Sequence, residues 1–88
     1  PANDLAVVAA ILSSSLDLPL DRDTCFAGEV GLSGEIRPVA RLEERMSEAA
    51  RLGMKRMLIS GHGKTPPVPK GLTLVAIKRV SEIQRVIF

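Results

Sequence analysis

Aromatic residues are almost missing from this chain of 88 residues, which has no Trp, no Tyr and two Phe. The core must therefore be built from aliphatic side chains, and we expect no surface that stacks nucleic-acid bases on exposed rings. A single cysteine excludes an internal disulfide, and one cysteine with one histidine excludes a Cys/His zinc cluster. We therefore expect no metal site in this chain.

A large excess of one charge and a long apolar run are also missing. Twelve basic and ten acidic residues give a net charge of +2, which is too small to indicate a nucleic-acid-binding protein by itself. No apolar run reaches eighteen residues, so we expect no transmembrane helix and no membrane partner. The apolar residues 5–12 lack the basic leader of a signal peptide, and a cytoplasmic location is the default expectation.

The residues that are present predict an α/β fold with α+β layers, in which helices pack on a small mixed sheet. A first helix, capped by Asn3 or Asp4, runs to about Leu16, and because it is apolar on every side it should be buried between layers. Residues 24–30 and 35–39 are predicted to be extended and to form a hairpin around Ser33 and Gly34. Further along, the pattern predicts a helix over 41–52, a strand over 54–60, a loop over 61–71, a strand over 72–77 and a final short helix.

The helix predicted over residues 41–52 is amphipathic. Its predicted buried stripe consists of Leu42, Met46, Ala49 and Ala50. Gly53 lies where a helix C-terminal glycine is expected. Ser81 and Gln84 match the Ser-x-x-Gln pattern of a capping box and predict the start of the final helix.

Residues 61–65, Gly-His-Gly-Lys-Thr, resemble the end of a phosphate-binding loop. That loop requires a glycine where Leu58 stands and a helix where Pro66 and Pro67 follow. We therefore predict a plain loop and no bound cofactor. Cys25 lies in an apolar stretch and is predicted to be a small core residue rather than a nucleophile.

Arg37, Arg41 and Arg45 cluster at the hairpin exit and on the second predicted helix. Arg41 and Arg45 are four residues apart and share a helix face, which would suit contacts to phosphates. The alternative is a solvated helix face on which these arginines pair with Glu44, Glu48 or a neighbouring subunit. The sequence leaves both interpretations open.

Two blocks of the chain resemble a known family. Residues 28–39 read GEVGLSGEIRPV, and residues 41–53 read RLEERMSEAARLG. Together with residues 1–11 and 80–83, they resemble the C-terminal Lon-protease-like domain of the RadA (Sms) family of bacterial DNA repair proteins. The resemblance covers essentially all 88 residues, whereas the loop over residues 61–71 departs from the usual pattern.

The resemblance implies that residues 1–88 are the later portion of one Lon-like domain, with a ribosomal-protein-like βαβ core. Because the chain begins at Pro1 rather than Met, we expect it to be part of a longer parent protein, and the resemblance implies further strands of this domain upstream of Pro1. An ATPase part with ATP and magnesium, and a zinc finger, would also lie upstream. Without the upstream strands, we expect an uncovered sheet edge or helix face and a tendency to self-associate.

Active Lon proteases use a Ser–Lys dyad, and the resemblance places its two positions in this chain at Ala2 and Arg45. Alanine has no nucleophile, and arginine does not lose its proton at working pH. The chain is therefore predicted to have a protease fold without protease activity and to be no enzyme by itself.

The function implied by the resemblance is a non-catalytic domain that serves hexamer assembly and DNA contact in an ATP-dependent repair protein that promotes branch migration. The implied partners are further copies of the chain, DNA and RecA recombinase, with Arg37, Arg41 and Arg45 as the DNA-binding candidates. Two alternatives remain. They are an active Lon-type Ser–Lys peptidase domain and the Lon-like N-terminal domain of a magnesium-chelatase-like competence ATPase.

Overall fold

The structure is a computed structural model and describes residues 3–17 and 20–87. These residues form two small sheets and three α-helices. The elements in chain order are β1 (Asn3–Asp4), α1 (Leu5–Leu16), β2 (Thr24–Ala27), β3 (Glu29–Val30), β4 (Ile36–Arg37), α2 (Leu42–Arg51), β5 (Arg56–Ser60), β6 (Thr73–Ile77), a 3₁₀ turn (Val80–Glu82) and α3 (Ile83–Ile87). The predicted α/β fold is confirmed. No described helix is long and apolar enough to span a bilayer.

The two sheets differ in the direction of their strands. One is parallel, with strand order β2-β5-β6, and the other is antiparallel, with strand order β1-β3-β4. The predicted strand over residues 24–30 is interrupted at Gly28, where the chain passes from the parallel sheet to the antiparallel one. A Cβ atom at Gly28 would lie 3.1 Å from Ile36 Cγ2 and 3.2 Å from Leu5 Cδ2, so a larger residue at this crossing would require those two side chains to shift.

The parallel sheet is the middle layer of three. Side chains alternate between the two faces of a strand, so each face of the sheet builds its own core. On one face, α1 and α3 complete a cluster of Leu5, Val30, Ile36, Leu58, Ile77 and Ile83. On the other face, α2 completes a cluster of Ala27, Met46, Ala49, Met57, Ile59 and Leu72.

Helix α1 has the predicted bounds, and its N-terminus is capped by the Asp4 carboxylate, which accepts a hydrogen bond of 2.7 Å from the Ala6 N–H. Its predicted burial on every side is wrong for the described residues. Leu5 and Ala9 are buried, but Val7 and Ile11 are 55% and 59% exposed. The physical reason is that the sheets cover α1 from one side, which leaves its outer apolar face in solvent.

Helix α2 begins at Leu42, one residue later than predicted, and Arg41 precedes it with a left-handed backbone. Met46 and Ala49 of the predicted stripe are buried, and Leu42 and Ala50 are half-buried. The role predicted for Gly53 is confirmed. This residue has a φ of 83°, and the Met54 N–H behind it bonds to the Ala49 carbonyl at 3.0 Å, as in a glycine-terminated helix.

The capping box predicted at Ser81 and Gln84 is wrong. The chain starts to turn at Val80, earlier than the pattern suggested, so Ser81 lies inside the 3₁₀ turn. The carboxylate that caps this turn belongs to Glu82, whose Oε1 accepts hydrogen bonds of 3.0 Å from the backbone N–H groups of Lys78 and Arg79. The predicted loop over residues 61–71 is confirmed, since regular structure resumes at Thr73.

Candidate nucleic-acid interface

The three arginines predicted to contact DNA follow one another along the surface where β4 leads into α2. Arg37 ends β4, Arg41 directly precedes α2, and Arg45 lies one turn further along that helix. All three residues are exposed. Arg41 and Arg45 line the same groove, whereas Arg37 does not, so the structure brings two of the three together.

Arg37 is held by Glu35. The guanidinium donates from Nε and Nη2 to Glu35 Oε2, at 3.2 Å and 2.9 Å, and Glu35 Oε1 accepts from the Ser33 N–H at 3.0 Å. The bond from its own backbone N–H, followed by the bond from Arg37, lowers the pKa of the Glu35 carboxyl. Glu35 therefore partly neutralises the charge of Arg37. The sequence had suggested Glu44 and Glu48 as partners instead.

Arg41 has an unfavourable backbone conformation for its residue type, with φ 59° and ψ 40°. A non-glycine residue in this region costs about 1–3 kcal/mol. Its side chain makes no capping bond to α2, and it forms no hydrogen bond or ion pair with any residue in 3–17 or 20–87. Its guanidinium is thus open to solvent and retains its full charge.

Arg45 points back toward the start of α2, where its Nε donates a hydrogen bond of 3.2 Å to the Ala40 carbonyl oxygen. A carbonyl oxygen orients the guanidinium but does not cancel its charge. Within the described part of the chain, Arg45 pairs with neither Glu44 nor Glu48. The other predicted dyad position, Ala2, lies outside the described residues.

The groove beside Arg41 and Arg45 runs between α2 and β2 and has a volume of about 380 Å³. Glu44 and Glu48 stand on its α2 side, and its apolar wall consists of Cys25, Phe26, Ala27, Ala49, Leu52, Met54 and Met57. β2 is at one end of the strand order of the parallel sheet, so in the described chain no strand pairs with its outer side. The outer face of α1 is likewise exposed in the described residues, and the expectation that upstream strands would cover such surfaces stays a prediction.

The thiol of Cys25 lies in the wall of this groove and is half-buried, in agreement with a core role. Burial raises the pKa of the thiol, although its backbone hydrogen bond opposes the effect. The Sγ donates to the Arg56 carbonyl oxygen at 3.5 Å. These surroundings favour the protonated thiol, which is a poor nucleophile.

Residues 61–65, which resembled a phosphate-binding loop, lie beyond β5 without a following helix. The His62 N–H donates a hydrogen bond of 3.0 Å to the hydroxyl of Ser60. No helix begins after these residues, so no helix N-terminus is present there to hold phosphates. The predicted plain loop is therefore confirmed. In residues 3–17 and 20–87, no three His, Cys, Asp or Glu side chains come together as a metal site.

The pairing of Glu35 with Arg37 was not predicted from the sequence. Glu35 stands two residues before Arg37, and residues two apart on a strand share a face, so the pairing was readable from the alternation. Its second role, as acceptor for the Ser33 N–H, depends on the turn geometry and was not readable in that way.

Comparison with known proteins places the chain in a family. A family model described as subunit ChlI of Mg-chelatase matches residues 1–62. The chain belongs to this ChlI family. The match extends from β1 to just beyond β5 and so includes the hairpin, α2 and all three arginines.

Relatives of this ChlI-family chain carry the name DNA repair protein RadA. The Bacillus subtilis (strain 168) protein is 48% identical over 97% of this chain, the Escherichia coli (strain K12) protein 42% over 90%, and the Streptococcus pneumoniae protein 40% over 100%. The resemblance to the RadA family is thus confirmed. The chain spans about a fifth of the length of these curated relatives, 17% to 21%.

Proposed function

We propose that this chain is the non-catalytic, Lon-like C-terminal domain of a RadA-type ATP-dependent DNA repair and recombination protein. In this proposal it serves the assembly of a hexameric ring and contacts DNA during branch migration. The observation that carries it is Arg45, which stands where the resemblance expects a catalytic lysine. Its guanidinium bonds to the Ala40 carbonyl and lies in the same groove as the unpaired Arg41.

The chemistry around Arg45 supports a non-catalytic role. A guanidinium does not lose its proton in water near neutral pH, so it cannot accept a proton from a nucleophile as a lysine amine does. Ala2 supplies no hydroxyl to attack a peptide bond. The nearby thiol of Cys25 is kept protonated by burial, which raises its pKa. The active Ser–Lys peptidase alternative is therefore disfavoured.

The electrostatics of Arg41 and Arg45 support phosphate contact. Both side chains are exposed and cationic, and neither is neutralised by a carboxylate in the described chain. Arg41 also occupies a strained backbone position that glycine or asparagine would tolerate better, and strain of this kind gathers at functional sites. Arg37 is the third and weaker contributor, because Glu35 shares its charge.

The remaining parts of this proposal concern the parent protein. Each chain offers few phosphate contacts, so a ring would raise DNA affinity by presenting many copies at high effective concentration. ATP with magnesium, and zinc, belong to other parts of the parent. RecA recombinase is the proposed further partner, and the cytoplasm is the proposed location.

A second candidate, the Lon-like N-terminal domain of a magnesium-chelatase-like competence ATPase, is favoured by the description of the family model. That match ends at residue 62, before β6 and α3. The relatives named RadA match 90% to 100% of the chain, so we favour the RadA-type function. The sequence of the full-length parent distinguishes the two, since a further ATPase domain after Phe88 would indicate the second candidate.

The DNA contact is tested in the full-length parent by a double variant, Arg41→Asn with Arg45→Gln. Asparagine tolerates the left-handed backbone at Arg41 better than alanine does. The matched control is Lys70→Gln with Lys78→Gln, two exposed lysines that do not line the groove and have no ion pair within residues 3–17 and 20–87. Single-stranded DNA affinity is measured against salt concentration, and light scattering checks that the ring is intact. Arg37→Gln is measured separately.

The arginine variant should bind more weakly and with a shallower salt dependence. The slope should fall by about 0.7 for each phosphate of a single strand that the variant no longer neutralises. The lysine control should lower the slope less. An intact ring with the wild-type slope would remove Arg41 and Arg45 from the DNA-binding surface.

A further inference from the structure

A second and smaller cleft lies at the carboxyl ends of β2 and β5, and we call it the loop cleft. Its lining comes from the last residues of these two strands, from the connection between β4 and α2, and from the loop after β5. The lining residues are Ala27, Ile59, Ser60, Pro38, Val39, Leu42 and residues 62–65. The volume of the loop cleft is about 70 Å³. Pockets that take a drug-sized ligand measure about 300–1,000 Å³, so the loop cleft has room for one small group only.

Three polar side chains of the loop line this cleft, namely those of His62, Lys64 and Thr65. All three residues are exposed. Lys64 forms no ion pair, and the Thr65 hydroxyl forms no hydrogen bond, with any residue in 3–17 or 20–87. An ammonium group has three donors and a hydroxyl has one. Lys64 and Thr65 therefore offer a positive charge and hydrogen-bond donors that the described chain does not use.

No carboxylate among the described residues lines the loop cleft. The two acids that follow Leu42 in the chain, Glu43 and Glu44, line a different surface of α2 together with Ser47 and Glu48. The loop cleft differs in this respect from the groove, where Glu44 and Glu48 stand beside the arginines. Because its cation has no compensating acid, the lining of the loop cleft suits an anion.

Gly63 brings the backbone of the loop to the cleft, since a glycine has only backbone atoms with which to line it. Its φ of 84° lies in the left-handed region, which glycine adopts without steric cost. An added Cβ atom at Gly63 would lie 3.8 Å from Cγ of Pro38, on the other wall. The backbone N–H groups of residues 63–65 donate to no described residue, so they remain available to a ligand.

The start of the loop is fixed by its own contacts. The Gly61 N–H donates to the Ile77 carbonyl oxygen at 2.8 Å, and the His62 N–H donates to the Ser60 hydroxyl at 3.0 Å. The stem of Lys78 occupies the space beside Gly61, where an added Cβ atom would lie 2.9 Å from Lys78 Cγ. A site that is already ordered loses less entropy when a ligand binds.

The loop cleft adjoins the groove that contains Arg41 and Arg45. Ala27 lines both, and Leu42 in the loop cleft directly follows Arg41 in the groove. Consecutive Cα atoms are about 3.8 Å apart, so the two surfaces meet at the start of α2. A nucleic-acid strand held by the arginines would therefore pass close to Lys64.

We propose that the loop cleft holds one phosphate group of the DNA backbone, with Lys64 as its counter-ion and the Thr65 hydroxyl and the loop N–H groups as donors. This inference rests on the proposed function and adds a phosphate position beside those of Arg41 and Arg45. A contact of this kind positions the strand and carries no sequence information. The volume of the cleft excludes a whole nucleotide, so the ligand enters by its phosphate alone.

Substitutions in the full-length parent test the charge and the hydroxyl separately. Lys64→Gln should lower the salt dependence of single-stranded DNA affinity by about 0.7 in slope, the effect of one phosphate. Thr65→Val should weaken binding about twofold to tenfold, the loss of one hydrogen bond, and leave the slope unchanged. Lys70→Gln is the matched control, because Lys70 is exposed in the same loop, has no ion pair in the described chain and lies outside the cleft. It should lower the slope less than Lys64→Gln. Circular dichroism checks the fold of each variant.

Acetylation of lysines with acetic anhydride, followed by mass spectrometry, locates the phosphate on the wild-type parent. Lys64 should react more slowly when single-stranded DNA is bound, whereas Lys70 should react at its DNA-free rate. A second arm replaces the DNA by inorganic phosphate at the same total phosphate concentration. Protection of Lys64 by DNA and not by inorganic phosphate assigns the bound group to the DNA backbone.

Three results would overturn this inference. They are a wild-type slope in Lys64→Gln, equal acetylation of Lys64 with and without DNA, and equal protection by inorganic phosphate, which would assign the cleft to a free anion instead. The proposed function is tested apart from it. If Arg41→Asn with Arg45→Gln lowers the slope and Lys64→Gln does not, only the loop cleft fails. If Lys64→Gln alone lowers the slope, the cleft contacts DNA and the arginine surface does not.

Discussion

The hydroxyl of Ser60 donates a hydrogen bond of 2.8 Å to the carbonyl oxygen of Ile36 in the buried interior. Ser60 ends β5 of the parallel sheet and Ile36 begins β4 of the antiparallel sheet, so this bond joins the two sheets. The same hydroxyl oxygen accepts the His62 N–H at 3.0 Å. One small side chain therefore fixes the hairpin and the loop after β5 relative to each other.

The Ser60→Ala variant should be less stable by about 1–2 kcal/mol, because it removes one buried hydrogen bond and leaves the His62 N–H without its acceptor. Urea unfolding of both proteins measures the difference. Ser47→Ala, at an exposed site on α2, is the control and should change stability by about 0.5 kcal/mol or less. Equal stabilities of the Ser60 variant and the wild type would show that the bond does not join the sheets as described.

Glu35→Gln should lower the thermal midpoint at neutral pH and have a smaller effect in acid. The bonds from its own backbone N–H and from Arg37 hold the folded-state pKa of Glu35 below the ordinary value of 4.5. A carboxyl with a lowered pKa stabilises the fold above its unfolded-state pKa, and this contribution disappears as the pH falls through the folded-state value.

The difference in midpoint between wild type and Glu35→Gln should thus be constant near neutral pH and shrink below about pH 4.5. Thermal scans over this pH range measure it. Glu43→Gln removes one carboxylate from α2 and controls for net charge. A difference that grows toward acid pH would contradict the assignment.

Arg41→Gly should leave the fold as stable as the wild type or more stable by up to about 1 kcal/mol. Glycine adopts the φ of 59° without steric cost, and this relief offsets the greater freedom of glycine in the unfolded chain. The matched comparison is Arg45→Gly, inside α2, which should be less stable by about 1 kcal/mol. A large loss of stability in Arg41→Gly would mean that the arginine serves the fold rather than a ligand.

The unmodified chain should not hydrolyse peptides. Neither an activatable hydroxyl at residue 2 nor a titratable base at residue 45 is present in the sequence. A fluorogenic protein substrate, with an active Lon protease as the positive control, provides the measurement. Restoring the residue types with Ala2→Ser and Arg45→Lys need not restore the activity, because catalysis also requires the geometry of the site. Peptidase activity that persists in the purified chain and changes with Arg45 would contradict the proposal.

The order of the elements, the α/β class and the family resemblance could all be predicted from the residues alone. The spacing of apolar residues and the position of a helix-ending glycine are local properties of the sequence. Both longer helices could therefore be predicted, α1 from its apolar run and α2 from the stripe with Met46 and Ala49 and from Gly53. The resemblance, together with the identities of Ala2 and Arg45, likewise predicts a lost dyad, because neither side chain has the required chemistry, and this stays a prediction.

Which surfaces are covered and which charges are paired depended on the packing of the whole chain. The sequence of α1 shows that it is apolar, but only the placement of the sheets on one side explains why Val7 and Ile11 face solvent. Arg37 and Arg41 are the same residue type, yet Arg37 is bonded to Glu35, whereas Arg41 has a left-handed backbone and no ion pair with any described residue. Burial and pairing depend on distances between residues far apart in the chain, and these distances are set by packing rather than by local pattern.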